Sequence, residues 1–136
     1  MSDCIFCEIA SGKIPSEKIY EDKNVFAFLD ATPAVDGHIL IVPKLHFKDV
    51  LETPDKILKD IISVSKNIGK MFEKNFGADG FNIFNNTGES AGQKIFHVHF
   101  HVVPRFENDG RVLHIDGERK VSDNLKEIAK KIRGEK

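Results

Sequence analysis

Tryptophan is absent from the 136 residues, tyrosine occurs once, and methionine and cysteine occur twice each. Two cysteines cannot build the multi-bridge framework that staples small secreted domains. No apolar run approaches the ~20 residues that a membrane-spanning helix needs. Asp3, Glu8 and Lys13 interrupt what would be the apolar core of a secretory leader, so a cytoplasmic location is expected. An excess of charge of one sign is missing too: 20 Lys+Arg stand against 21 Asp+Glu, a formal net of −1. That balance argues against a general nucleic-acid or anionic-membrane binder, which needs a basic field. Internal repeats and low-complexity segments are lacking as well.

What is present is the composition of one folded domain over 1–136. Apolar residues make up 40% and charged residues 30%, which separates the chain from disordered and coiled-coil classes. The length suffices for one core without disulfides. Phenylalanine is plentiful at 11; such rings mostly fill core, and a few can line an apolar ligand pocket.

Along the chain, Ile19-Tyr20-Glu21 and Val25-Phe26-Ala27-Phe28-Leu29 read as strands joined by a turn at Asp22-Lys23-Asn24. Gly37 to Pro43 is a continuous apolar run, the pattern of a buried central strand. Thr53-Pro54-Asp55 reads as a helix start, with Thr53 as hydroxyl N-cap and proline at the first helical position. Ile57, Leu58, Ile61, Ile62, Val64, Ile68, Met71 and Phe72 follow at helical spacing, and Gly77 suits the stop. Gly80–Asn85 is a further strand, Thr87–Lys94 a polar loop, and Phe96–Val103 a last strand. Leu125, Ile128, Ala129 and Ile132 mark a short amphipathic helix. Several antiparallel strands with one long helix predict an α+β fold.

The densest chemistry is Phe96-His-Val-His-Phe-His-Val-Val103, which holds three of the six histidines at alternate positions. On a strand, His97, His99 and His101 share one face, while Val98, Phe100 and Val102 face a core. Clustered titratable groups mark functional sites. Neutral imidazole is the commonest metal ligand. However, the strand rise puts residues i and i+4 about 13 Å apart, too far for all three to ligate one ion. The other fitting chemistry is phosphoryl or nucleotidyl transfer, with an imidazole as nucleophile and its neighbours binding phosphate and moving a proton. Separately, Cys4 and Cys7 form a C-x-x-C pair: a redox pair, half of a zinc site, or two incidental thiols. The redox reading lacks its βαβ context.

His97-Val-His99-Phe-His101-Val-Val matches the signature H-φ-H-φ-H-φ-φ, with φ apolar. Cys4-Ile-Phe-Cys7, Ala27-Phe-Leu-Asp30, Gly37-His38-Ile-Leu-Ile-Val-Pro-Lys44 and Asn86-x-Gly88-x-x-x-Gly92-Gln93 fall around it in order. The chain therefore resembles the histidine-triad (HIT) family over about residues 4–106, and within it the Hint branch with a longer C-terminal tail, here 107–136. The resemblance implies a five-stranded antiparallel sheet with one long helix and a C-terminal helix. It implies a homodimer in which two sheets join into ten strands. The implied activity is hydrolysis or transfer at the α-phosphate of purine nucleotide conjugates, AMP- or GMP-like, of the adenosine phosphoramidate type.

Carried over position by position, the resemblance makes His99 the nucleophile, and His101 the contact to phosphate and leaving group. His38 and His97 complete the catalytic set. It assigns Asp30 to the ribose hydroxyls, and Asn86, Gln93 and Lys94 to the ribose and phosphate surroundings. Phe6, Ile9, Ile14 and Phe28 would line the base cleft. Lys94 stands where many Hint-type proteins carry serine, a departure that bears on leaving-group preference. The resemblance also implies a structural zinc held by Cys4, Cys7, His46 and His97. Arg111 and His114 could reach the leaving group across the dimer, or belong to a solvated loop. Two other functions fit the sequence: cleavage of dinucleoside polyphosphates, and a zinc-stabilised nucleotide-binding module with little catalysis.

Overall fold

Alternation along the strands builds a sheet with two covered faces. The computed structural model describes residues 4–111 and 123–135. Five strands, β1 (Lys18–Glu21), β2 (Val25–Leu29), β3 (Ile39–Pro43), β4 (Gly80–Asn85) and β5 (Phe100–Arg105), form one antiparallel sheet in the order β1-β2-β3-β5-β4. Within the apolar run from Gly37 to Pro43, β3 is buried at every residue and takes the centre of that order. The helices are α1 (Ile5–Ala10), α2 (Asp55–Asn75) and α3 (Leu125–Arg133). Among the described residues, no helix is long and apolar enough to cross a membrane.

On one face, Val25, Ala27, Ile39, Ile41 and Val102 pack with Ile61, Val64, Ile68 and Phe72 of α2. The opposite pleat carries Phe26, Phe28, Leu40 and Val42, which Phe6 and Ile9 of α1 cover. The long helix spans 21 residues and ends as its sequence predicts: Gly77 adopts φ +69, and the Ala78 N–H donates to the Phe72 carbonyl. Gly69 is the point of closest approach between α2 and the sheet. A Cβ there would lie 2.2 Å from the Phe81 ring, so only glycine lets Phe81 of β4 seat against the helix.

Three local features differ from the sequence reading. Pro54, not Thr53, occupies the N-cap of α2, and no side chain caps it. The Thr53 hydroxyl instead donates to the Asp49 carbonyl at 2.7 Å, closing a 3-10 turn over Val50–Glu52. α1 has no counterpart in the sequence pattern; the Cys4 sulfur caps it by accepting from the Cys7 N–H at 3.2 Å. Finally, β5 begins at Phe100, so only His101 of the three histidines lies within the strand. His97 sits in a bend before it, and the Val98 N–H donates to the Phe47 carbonyl at 2.7 Å instead of joining the sheet ladder. The buried contacts of His97 draw the chain off the strand path.

Candidate active site

The histidines gather at the end of the sheet where β3 and β5 run side by side. His101 lies opposite Leu40 of β3 and Phe84 of β4. His38 precedes β3 and is tied to the β2 end through the Asp30 N–H, which donates to the His38 carbonyl at 2.9 Å. His97 is fully buried, and His38 and His99 nearly so.

Backbone groups have a fixed polarity, and here they assign the proton on each ring. A carbonyl can only accept. The His97 Nε2 faces the Pro43 carbonyl at 2.9 Å, so Nε2 carries the proton and Nδ1 keeps its lone pair. The His99 Nδ1 faces the His97 carbonyl at 2.9 Å, so Nδ1 carries the proton and the lone pair falls on Nε2. An amide N–H can only donate. The Ala34 N–H points at the His38 Nδ1 at 3.1 Å, which leaves the proton on Nε2. That Nε2–H donates to the His101 Nδ1 at 2.9 Å, and His101 must then hold its own proton on Nε2. The result is an ordered set: a lone pair on His99 Nε2, and an N–H on His101 Nε2 from a ring 5.1 Å away.

Burial keeps these rings neutral. It holds His38 and His99 below the usual imidazole range, partly opposed for each by the Asp30 charge. His101 is pushed down to about 4, first by burial and then by the neighbouring His99 and His38. The Asp30 Oδ2 to His38 Nδ1 separation of 3.7 Å is therefore a contact with a neutral ring rather than an ion pair.

Behind His99, four side chains converge. The Cys4 Sγ lies 3.1 Å and the Cys7 Sγ 3.4 Å from the His97 Nδ1, and the His46 Nδ1 lies 3.2 Å from the same atom. All four donor atoms fall within 4.8 Å of one another. Tetrahedral zinc with two thiolates and two imidazoles spaces its donors about 3.3–3.8 Å apart, so the set fits that ion. Both Nδ1 atoms face the centre, and the Pro43 carbonyl holds the far side of His97 as an outer-shell partner. Without the ion, burial and the Cys4 sulfur hold the Cys7 thiol up to about 11, and a divalent cation reverses that preference.

The remaining sequence-predicted residues divide. Asp30 lies on the histidine face; its Oδ1 accepts from the Thr32 N–H at 3.0 Å. Asn86 is half-buried against Gly92, which adopts φ +97. Gln93 is buried, with its amide used within the loop: Oε1 accepts from the Gly88 N–H, and Nε2 donates to the Lys48 and Ile95 carbonyls. Lys94 is exposed. Phe6, Ile9 and Phe28 are buried in the α1-side core, and Ile14 packs at its border beside a cleft of about 350 Å3. The Phe6 ring meets His99 edge-on at 5.0 Å. Arg111 is held by Asp109 and by Arg105, whose guanidinium donates to its carbonyl. His114 lies outside the described residues.

Several groups that shape the site escape sequence reasoning. The Pro43 carbonyl and the Ala34 N–H are backbone and leave no trace in residue type. The Asn85 amide donates to the His99 carbonyl at 2.9 Å, and the Phe84 ring stacks on His101. Alternation through β4 would have found Phe84, since it faces the same side as His101.

A two-faced α+β domain with an ordered imidazole set backed by a Cys2His2 cluster is the build of a histidine-triad protein. The chain belongs to the HIT family: the HIT domain model matches residues 11–108. The C-x-x-C pair precedes that span. An uncharacterised HIT-like protein of Methanocaldococcus jannaschii is 47% identical over 131 residues, 96% of this chain and 99% of that one. An adenylylsulfatase of Arabidopsis thaliana is 43% identical over 79% of this chain and 55% of its own length. The adenosine 5'-monophosphoramidase of Saccharomyces cerevisiae is 37% identical over 95% of this chain and 80% of its own length. Among solved structures, a Streptococcus mutans protein superposes with TM-score 0.87 at 40% identity, covering 98% of this chain and 85% of that one. A zinc-bound histidine triad protein of Mycobacterium smegmatis superposes with TM-score 0.78 at 40% identity, over 86% of this chain and 85% of that one.

Proposed function

We propose that the protein is a nucleotide hydrolase or transferase that cleaves the α-phosphate bond of purine nucleotide conjugates, of the adenosine phosphoramidate type, through a nucleotidyl-histidine. The observation that carries this reading is the His99 Nδ1–H bond to the His97 carbonyl, which leaves a lone pair on Nε2 for attack. Its resemblance to a monophosphoramidase and an adenylylsulfatase supports the substrate class.

In this reading the His99 Nε2 lone pair forms a bond to the α-phosphorus, and the bond from phosphorus to the leaving nitrogen breaks. The His97 carbonyl stabilises the positive ring that results. The substrate's negative charge draws a solvent proton onto the His38 Nδ1, where it displaces the Ala34 N–H and faces the Asp30 Oδ2 at 3.7 Å, opposing the burial that depresses the pair in the free protein. The His101 Nε2 proton then passes to the leaving nitrogen as the His38 Nε2 proton moves to the His101 Nδ1. Water then attacks phosphorus, the His99–phosphorus bond breaks, and the water's proton restores the pair. The free Oδ2 of Asp30 accepts from the ribose hydroxyls, and Asn86, Lys94 and backbone N–H groups near Gln93 surround ribose and phosphate. The base lies against the α1 side, among Phe6, Ile9, Ile14 and Phe28.

Cys4, Cys7, His46 and His97 would hold a structural zinc with no open position; when bound it supplies a crosslink between the N-terminus and the catalytic segment. Both His97 nitrogens are engaged, so His97 positions His99 rather than touching substrate. A homodimer through the open edge of β4 would complete a ten-stranded sheet.

The test is acid-quenched incubation with adenosine phosphoramidate, reading AMP release and a nucleotidyl mass on the His99 peptide. Turnover by His99→Ala at the wild-type rate would rule the mechanism out. Preference for a dinucleoside polyphosphate in the same assay would move the substrate assignment, and nucleotide binding without turnover of either would favour a binding module.

A further inference from the structure

Phe84 and His101 stand directly opposite each other on β4 and β5. Their rings are stacked, with centroids 4.4 Å apart and planes within 9°. β4 is the edge of the five-stranded sheet, so nothing in strand pairing beyond β5 requires an aromatic ring at this position. The edge neighbour Ile83 points the other way and is exposed.

The hydrogen bond to His38 Nε2 fixes one atom of His101 but not its plane. The χ2 torsion of histidine is broad, and a ring held at one nitrogen can still swing about that contact. Contacts on two sides remove that freedom. His99 meets the ring at an interplanar angle of 62°, and Phe84 lies flat against it. Flat stacking restrains tilt, which an aliphatic side chain of similar volume does not. With the plane held, Nδ1 stays on His38 and the Nε2–H keeps a single direction.

We propose that Phe84 is a positioning residue for His101, clamping the imidazole plane so that the Nε2–H ordered by the Ala34–His38–His101 hydrogen-bond chain is presented from one orientation. The clamp itself concerns ring geometry alone; its catalytic consequence rests on the hydrolase reading above. Among the described residues, the titratable groups that act on His101 are His99 and His38, whose rings meet it at angles of 62° and 38°, and the charge of Asp30, and none of them restrains tilt as a flat ring does.

Phe84→Leu tests the clamp, with Phe84→Tyr as the conservative control. In the first readout, 15N shifts of the His101 ring report its tautomer without any substrate. The wild type shows one Nε2–H form, the Leu variant an averaged pair, and the Tyr variant the wild-type pattern. In the second, kcat of the Leu variant falls by about tenfold with KM little changed, the pattern of an interaction made in the transition state. In a His101→Ala background the same substitution adds no further loss, because the effect acts through His101. Unchanged 15N shifts in the Leu variant overturn the proposal, as does an equal kcat loss in both backgrounds. A wild-type protein that turns over no conjugate, yet whose His101 tautomer scatters on Phe84→Leu, upholds the clamp and sinks the hydrolase reading instead.

Discussion

The His97 Nε2–H donates to the Pro43 carbonyl across 2.9 Å, and that bond sets the tautomer of the ring. Nδ1 is left as a lone pair among two sulfurs and the Nδ1 of His46. The His97 backbone carbonyl, on the same residue, orients His99. One buried residue thus joins the Cys2His2 cluster, through its ring, to the proposed nucleophile, through its backbone.

Removing a cysteine from the cluster should therefore release metal and loosen His99 together. Cys4→Ser is expected to lower bound zinc from about one equivalent to a small fraction, measured by elemental analysis of protein purified without chelator. Melting of the wild type should rise with added zinc, because an ion bound only by the folded state stabilises it by mass action. Absence of zinc from the wild-type preparation would end this prediction.

The imidazoles should not be equivalent in single-turnover kinetics. His99→Ala removes the nucleophile and should abolish formation of the covalent adduct. His38→Ala leaves it intact but strips the hydrogen bond that sets the His101 tautomer. Loss of one general acid–base partner costs roughly 10²–10⁴-fold, so the His38 variant should retain slow, measurable turnover. Equal residual rates for the two variants would contradict the division of roles.

Acid should destabilise the metal-free protein in a defined window. The His38 and His101 pKa values are lowered on folding, the latter to about 4, so the unfolded chain binds more protons at intermediate pH. Stability is then fully present above the unfolded value of about 6.5 and is lost as pH falls towards 4. A tenfold difference in proton affinity between the folded and unfolded chain corresponds to about 1.4 kcal/mol. The His101 contribution alone is on the order of 3 kcal/mol, an upper figure for a group that is only partly buried. Melting temperatures between pH 4 and 8 should be flat above 6.5 and fall below it. A flat profile down to pH 4.5 would refute the buried neutral rings.

Gly69→Ala should destabilise the fold although alanine is the better helix former. The added methyl meets the Phe81 ring at 2.2 Å, and such overpacking costs about 1–3 kcal/mol, more than the helix gains. Phe81→Leu in the same chain should recover part of that loss. Chemical denaturation midpoints of the single and double variants would show it, and a Gly69→Ala protein at least as stable as wild type would refute the packing argument.

Much of this architecture was legible because hydrophobic period maps directly onto burial. The apolar run from Gly37 to Pro43 has the pattern of a buried central strand, which β3 forms over Ile39–Pro43, and Ile61, Val64, Ile68 and Phe72 recur at the spacing that meets the sheet. Phe100 and Val102 turn to the core, as alternation required. What escaped was local competition between polar groups. The Thr53 hydroxyl could accept from a backbone N–H as the N-cap of α2 or donate to the Asp49 carbonyl, and residue type does not say which one wins. α1 is six residues long, and its cap is a sulfur. The histidine triplet has the pattern of a uniform strand, but His97 leaves the ladder to reach the cluster. The proton positions were beyond any motif, since a carbonyl of Pro43 and an amide of Ala34 determine them.

The cluster also has a consequence for biosynthesis. Its outermost ligands, Cys4 and His97, are 93 positions apart in sequence. During synthesis the two thiols leave the ribosome first and have no imidazole partner from β5's approach until most of the domain has been made. Metal capture by this cluster would then be a late event, one that requires α1 and the sheet to have met. Such long-range closure is slow relative to helix formation. A nascent chain stalled before residue 97 would carry an open pair of reactive thiols, and a finished one would carry a sealed ion.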